Sequence, residues 1–201
     1  MLRLTKRTVT LPIIGYSLAT FYLVGFIFYL KYLHFPIFLD TVLIGIPFIG
    51  RMLTPILYPL SVIKYGMEKI LYLSLAIMGI ISILEEFSDS LIILIIFRFI
   101  TGVLYGLSTS SAIEMASMTK IRLLIGLTMG GWSIGWIFSA LSAFFLSNLM
   151  LFTGLISIPF ILYPTRRHGI NLISTPVNSI STHISKKINI DFSVKAFIIF
   201  F

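Results

Sequence analysis

Cysteine is absent from this sequence of 201 residues, which excludes disulfide bridges and thiolate metal sites. Histidine is nearly so, and His34, His168 and His183 lie too far apart in the sequence to suggest a shared metal. Charge is scarce as well. Only 11% of the residues are Asp, Glu, Lys or Arg and 58% are hydrophobic, whereas a soluble globular chain carries roughly one quarter charged residues. So little polar side chain does not cover a water-soluble globule, and the expected solvent is a lipid bilayer. No paired carboxylates, nucleophile triad or metal cluster is visible, which argues against an enzyme, and nothing in the sequence calls for a cofactor.

The charge that remains is basic, a net +8. In a soluble protein that balance would suggest nucleic acid. Here the Lys and Arg residues fall in short runs between apolar stretches rather than on one polar face, so no nucleic-acid partner is expected. The first apolar stretch is about 20 residues long and lacks a small-residue cleavage site, so it is expected to be retained as a helix.

Apolar stretches run over Leu11–Tyr32, Ile37–Ile63, Ile70–Leu84, Leu91–Ala112, Leu123–Leu146 and Leu149–Tyr163. The expectation is an all-α membrane protein with six transmembrane helices, the third and sixth being short for a hydrocarbon core of about 30 Å. Glu85, Glu86, Phe87, Ser88 and Asp89 separate the third and fourth stretches, and Ser147 and Asn148 the fifth and sixth, as tight external hairpins. The alternating pattern of membrane barrels is missing.

Lys and Arg set the expected orientation. Arg3, Lys6, Arg7, Lys64, Lys69, Lys120, Arg122, Arg166, Arg167, Lys186, Lys187 and Lys195 all fall on one side, while the other has Lys31 with Asp40, Glu85, Glu86 and Asp89. Both termini are therefore expected in the cytoplasm of a multi-pass cell-membrane protein. The domain division is residues 1–10 as an N-terminal cytoplasmic segment, 11–163 as the bundle, 164–191 as a polar linker and 192–201 as an apolar stub. The stub is too short to span a bilayer; it either lies at the interface or opens a seventh helix.

Within the fourth stretch Arg98, Gly102, Gly106 and Ser110 recur every four residues, and in the fifth Gly131, Gly135, Ser139 and Ala143 do the same. Small residues at that spacing let a neighbouring helix approach closely, and they occur in many multi-helix membrane proteins. In the second stretch Pro47, Arg51, Pro55 and Pro59 share the same spacing. Each proline lacks a donor for the carbonyl four residues back, so a kinked, partly unwound segment is expected beside Arg51.

Arg51 and Arg98 lie about 20 Å and 10 Å from the outer ends of their stretches at 1.5 Å per residue. A guanidinium at such depth costs on the order of 3 kcal/mol by insertion scales, and by default it marks a functional site. Each is a candidate for solute binding or for a structural clamp onto freed carbonyls and hydroxyls. No Asp or Glu falls deep in any stretch: Asp40 opens the second and Glu114 closes the fourth. That argues against an embedded proton-carrying carboxylate, and it leaves an anionic solute as the expected counter-ion of the arginines. Tyr16, Thr20, Tyr22 and Tyr29 on the first stretch, with Tyr105 on the fourth, are candidates to line the same cavity; tyrosines near helix ends also serve as interfacial anchors.

With these features the chain resembles the N-terminal half of the major facilitator superfamily. The segment Lys64-Tyr65-Gly66-Met67-Glu68-Lys69 is similar to the family's cytoplasmic loop motif at Lys64, Gly66 and Lys69, while Ile63 stands at its Asp position and Pro59 at its leading Gly. Arg98, Gly102 and Gly106 are similar to its helix-four motif, and Glu114–Gly126 to its basic four-to-five loop. The resemblance covers Leu11 to about Tyr163. It implies half of a facilitator fold, built from two inverted three-helix repeats, that transports a small solute by alternating access. It further implies a second six-helix bundle as partner, from a homodimer or a separately encoded half. A gating role for Lys64, Gly66 and Lys69 is implied in the same way, with the latch weakened by Ile63. The rival expectation is a non-transporting membrane interaction subunit or a vestigial transporter fragment.

Overall fold

A computed structural model describes residues 6–88, 90–157 and 159–160. Among them the secondary structure is entirely helical. The first helix, α1 (Lys6–Leu33), ends where His34 takes a positive φ of 53° and Pro36 forces an extended backbone before the next turn. Helix α2 (Ile37–Arg51) carries Asp40 in its first turn and Arg51 in its last, each charge opposing the local end of the helix dipole. Helix α3 (Thr54–Tyr65) follows after Met52 and Leu53, bent 51° from α2.

That bend has its cause in Pro55, which has no N–H for the Arg51 carbonyl and sits at the start of α3, where no donor is needed. The single stretch expected over Ile37–Ile63 is thus two helices. Gly66, at φ +79°, ends α3 and begins α4 (Met67–Glu86), a backbone angle that favours glycine. Helix α5 (Leu91–Met118) and helix α6 (Arg122–Leu146) meet at Lys120, whose φ is +58°. A 3-10 coil follows over Ser147–Ser157.

Among the described residues four helices (α1, α4, α5 and α6) are long and apolar enough to cross a bilayer, and there are five candidate spans if the bent pair α2 and α3 counts as one. Where a sixth helix is expected, the described chain is the 3-10 coil as far as Ser157, with residues 159–160 α-helical. The expected segments at 164–191 and 192–201 lie outside the described residues.

The outward surface is the reverse of a water-soluble one. Ile56, Leu60, Leu123, Phe138 and Phe144 are each more than half exposed, and apolar patches of that extent are rare on soluble monomers. Buried positions instead include many hydroxyls, among them Thr20, Ser74, Thr101, Ser108, Thr109, Ser111, Thr128 and Ser139. Four of these donate within or between helices: Thr109 and Ser108 to the Tyr105 carbonyl, Thr128 to that of Leu124, and Ser139 across to that of Phe21. Hydroxyls scattered through an apolar core, inside an apolar shell, suit a helical membrane protein.

Helix α1 packs along α6, α2 along α5, and α4 against both α5 and the 3-10 coil. Glycine sets the separations. A methyl group at Gly102 would collide with the backbone of Pro47, lying 2.6 Å from its Cα, and one at Gly106 would collide with Thr54. On the opposite seam, a methyl at Gly131 would stand 3.0 Å from the Ser17 hydroxyl, and one at Gly135 2.6 Å from the Ser17 carbonyl oxygen. Gly79 of α4 and Gly154 of the coil each face the other's carbonyl.

Candidate functional site

Two polar clusters are each built on one of the two arginines of the apolar stretches, Arg51 and Arg98. The first forms at the break between α2 and α3. Arg51 is the last residue of α2 and is exposed; its guanidinium carbon lies 5.1 Å from the centre of the Tyr105 ring. A cation over an aromatic face is attracted by the ring quadrupole, by about 0.5–1 kcal/mol at an exposed position. Tyr105 itself is only 1% exposed, and its hydroxyl lies beside those of Tyr16 and Thr20 from α1. The geometry satisfies no hydrogen bond for the hydroxyls of Tyr105 or Thr20. Trp132 of α6 closes the ring at 6.3 Å.

Four helices therefore contribute to one cluster: Tyr16 and Thr20 from α1, Arg51 from α2, Tyr105 from α5 and Trp132 from α6. Among the described residues no carboxylate is within ion-pair distance of Arg51. One turn of α3 further on, the Tyr58 hydroxyl donates to Glu114 of α5, with Ser111 adjacent. This α3–α5 link was not expected: Glu114 was placed at the end of its helix, but α5 continues to Met118 and leaves it half-buried.

The second cluster surrounds Arg98, 1% exposed. Its Nη2 donates to the Leu23 carbonyl at 2.9 Å, and its guanidinium carbon lies 4.5 Å from the centre of the Phe26 ring. Its Nη1 lies 3.9 Å from Oε1 of Glu85, itself 2% exposed. Here the expectation that both arginines lack acidic partners is corrected for Arg98. Helix α4 does not stop at Leu84; it continues through Glu86, and that extra half-turn carries Glu85 inward, in front of Arg98. The neighbouring Glu86 instead faces Tyr29 and the backbone of Leu151.

Tyr22, expected in the same cavity as Tyr16 and Thr20, is placed elsewhere. It is two residues beyond Thr20, about 200° around the helix at 3.6 residues per turn, and its hydroxyl lies beside Ser157 of the 3-10 coil. Lys64, Gly66 and Lys69 are exposed at the α3–α4 turn, where the Lys64 ammonium lies 5.1 Å over the ring of Tyr65. Nothing stands within 4 Å of a methyl group placed on Gly66.

A cleft of about 350 Å³ runs between α1, α6 and the 3-10 coil, lined by Ile13, Ile14, Leu18, Phe21, Ile134, Phe138 and Ile156 with Ser17 and Ser142. It holds no charged group and shares none of the residues of the two clusters. Among the described residues no three His, Asp or Glu side chains converge as a metal site. No family model matches this chain, and no curated protein or solved structure matches it either.

Proposed function

We propose that this chain moves a small solute, with organic anions the leading candidates, across a cell membrane by alternating access. It would do so with a helix bundle of the major facilitator type. The observation that carries the reading is Arg51. It is a guanidinium at a break within an apolar helix pair, stacked on Tyr105 beside two further hydroxyls, open on one side and without a carboxylate partner among the described residues. An exposed cation in an apolar segment needs either water or an anion against it.

The pairing of the helices supports the facilitator form of the proposal. Take α1, the α2/α3 pair and α4 as one set of three, and α5, α6 and the 3-10 coil as the other. Exchanging the sets turns the α1–α6 contact into the contact of α5 with α2 and α3, and maps the α4–coil contact onto itself. All of these contacts occur, and the self-mapped one is where Gly79 and Gly154 meet. Two inverted three-helix repeats would pack in this way, with the 3-10 coil opening the sixth crossing. The Lys and Arg distribution supports an orientation with both termini in the cytoplasm. A lone bundle leaves the Arg51 face uncovered, so a second six-helix bundle is the proposed partner.

Uptake of a panel of organic anions into proteoliposomes tests the proposal. The wild-type protein is expected to accumulate at least one of them, and Arg51→Leu to lose that uptake while keeping its helical content and monodispersity. Uptake by the folded wild-type protein of nothing in the panel, alone or with a second bundle, would overturn it. A second reading, a non-transporting subunit or vestigial fragment, draws on the closure of Arg98, which leaves one of the two intramembrane arginines sealed as a clamp. On that reading Arg51→Leu and Arg98→Leu change stability alone.

A further inference from the structure

We propose that Glu85 is a proton-binding site within the bundle, and that its pairing with Arg98 is a proton-sensitive clamp between α4, α5 and α1. Glu85 is 2% exposed and Arg98 1%. Their closest approach is 3.9 Å, longer than a hydrogen bond, and neither Oε1 of Glu85 nor Nε and Nη1 of Arg98 finds any hydrogen-bond partner. A carboxylate sealed from water is stable only against a well-bonded counter-charge; at this separation and with its acceptor idle, taking up a proton competes with remaining ionised.

Among the described residues, Arg98 is the charge that acts on Glu85. From α1 come the Leu23 carbonyl and the Phe26 ring, both against Arg98, while Lys31 is exposed and lies over the ring of Tyr32. The 3-10 coil brings Leu151 and Ser157, which are uncharged, and Glu86 on the same turn is directed to Tyr29. Helix α2, with Asp40, packs chiefly on α5. The proton adds to a lone pair of the Glu85 carboxylate and no bond breaks. Arg98 then loses its counter-charge while still holding the Leu23 carbonyl, and a buried unpaired guanidinium draws in water. Protonation therefore loosens the end of the bundle where α4 turns into α5. That the proton drives solute movement rests on the transport reading; that Glu85 binds it does not.

Infrared spectroscopy of the wild-type protein in lipid vesicles, titrated from neutral to acid pH, reads the site directly. A protonated-carboxyl carbonyl band is expected to grow, to shift when the glutamates carry carbon-13, and to be missing from Glu85→Gln but retained in Glu86→Gln. Should Glu85→Gln fail to fold, Glu68→Gln, Glu86→Gln and Glu114→Gln replace it, and a band that survives in all three belongs to Glu85. A band unchanged in Glu85→Gln, lost in any of those three, or absent from the wild type overturns the proposal. An imposed pH gradient across proteoliposomes supplies the transport arm: uptake should follow the gradient in the wild type and not in Glu85→Gln. If wild-type vesicles take up nothing, the transport reading fails while the titrating band still decides the proton site.

Discussion

Replacing Gly102 by alanine adds one methyl group at the seam between α5 and α2. That methyl would lie 2.6 Å from the Pro47 Cα, and nearer still to its carbonyl oxygen, where ordinary contact begins at 3.4 Å. The neighbouring atoms are backbone, so no side chain can rotate away. Helix α2 must retreat by at least about 0.8 Å, the difference between those two distances. Over-packing of this kind costs about 1–3 kcal/mol, or roughly a 5- to 150-fold fall in the ratio of folded to unfolded protein. Alanine's better helix propensity recovers at most about 1 kcal/mol of that. The controls are built into the same molecule, since a methyl group at Gly126 or Gly130 meets nothing within 4 Å. Reversible unfolding in mixed micelles with increasing sodium dodecyl sulfate, followed by circular dichroism, ranks the variants. Gly102→Ala should unfold well before wild type, with Gly126→Ala and Gly130→Ala at or slightly above it. Equal midpoints for all three would refute the argument that close backbone approach holds α2 on α5.

Arg98→Leu strands Glu85 without its counter-charge and should cost about 3–5 kcal/mol; the double replacement Arg98→Leu with Glu85→Leu should recover much of that loss, which a double-mutant cycle of unfolding midpoints measures. Gly66→Ala forces a side chain onto a φ of +79° with ψ 151°, a region essentially reserved for glycine, although the space around it is open, so a loss of about 1–3 kcal/mol should appear as a lower thermal midpoint, and Gly66→Asn should lose as much, because asparagine is favoured only at left-handed helical ψ.

The apolar stretches gave the four long apolar helices, with ends off by up to six residues, because a long run without charge has few alternatives to a membrane helix. The break inside the second stretch was also legible, since Pro55 removes the one donor that would carry the helix past Arg51. Glu85 was not. In sequence it opens a run with Glu86, Phe87, Ser88 and Asp89, and a cluster of acids between two apolar stretches has the composition of a loop. What buries it is Arg98, thirteen positions away and on another helix, and no local pattern announces that pairing. The meeting of Tyr58 with Glu114 was hidden for a similar reason: it joins residues fifty-six positions apart. Tyr22 is close to Thr20 in sequence, but a step of two along a helix leads to almost the opposite side, where its hydroxyl meets Ser157.

Met52 and Leu53, between α2 and α3, stay within right-handed helical torsion space, with ψ values of −20° and −13° against about −42° for a regular α-helix. The discontinuity is therefore shallow. A change of some 20–30° in two torsions would bring the halves closer to one axis, with no peptide flip and no passage through a forbidden region. What keeps the elbow crooked is the pyrrolidine ring of Pro55 and the bulk of its neighbours rather than a barrier in the main chain itself. A swing of α3 about this elbow would carry the Lys64 turn with it and break the Tyr58–Glu114 hydrogen bond, with Thr54, seated against Gly106, at the pivot.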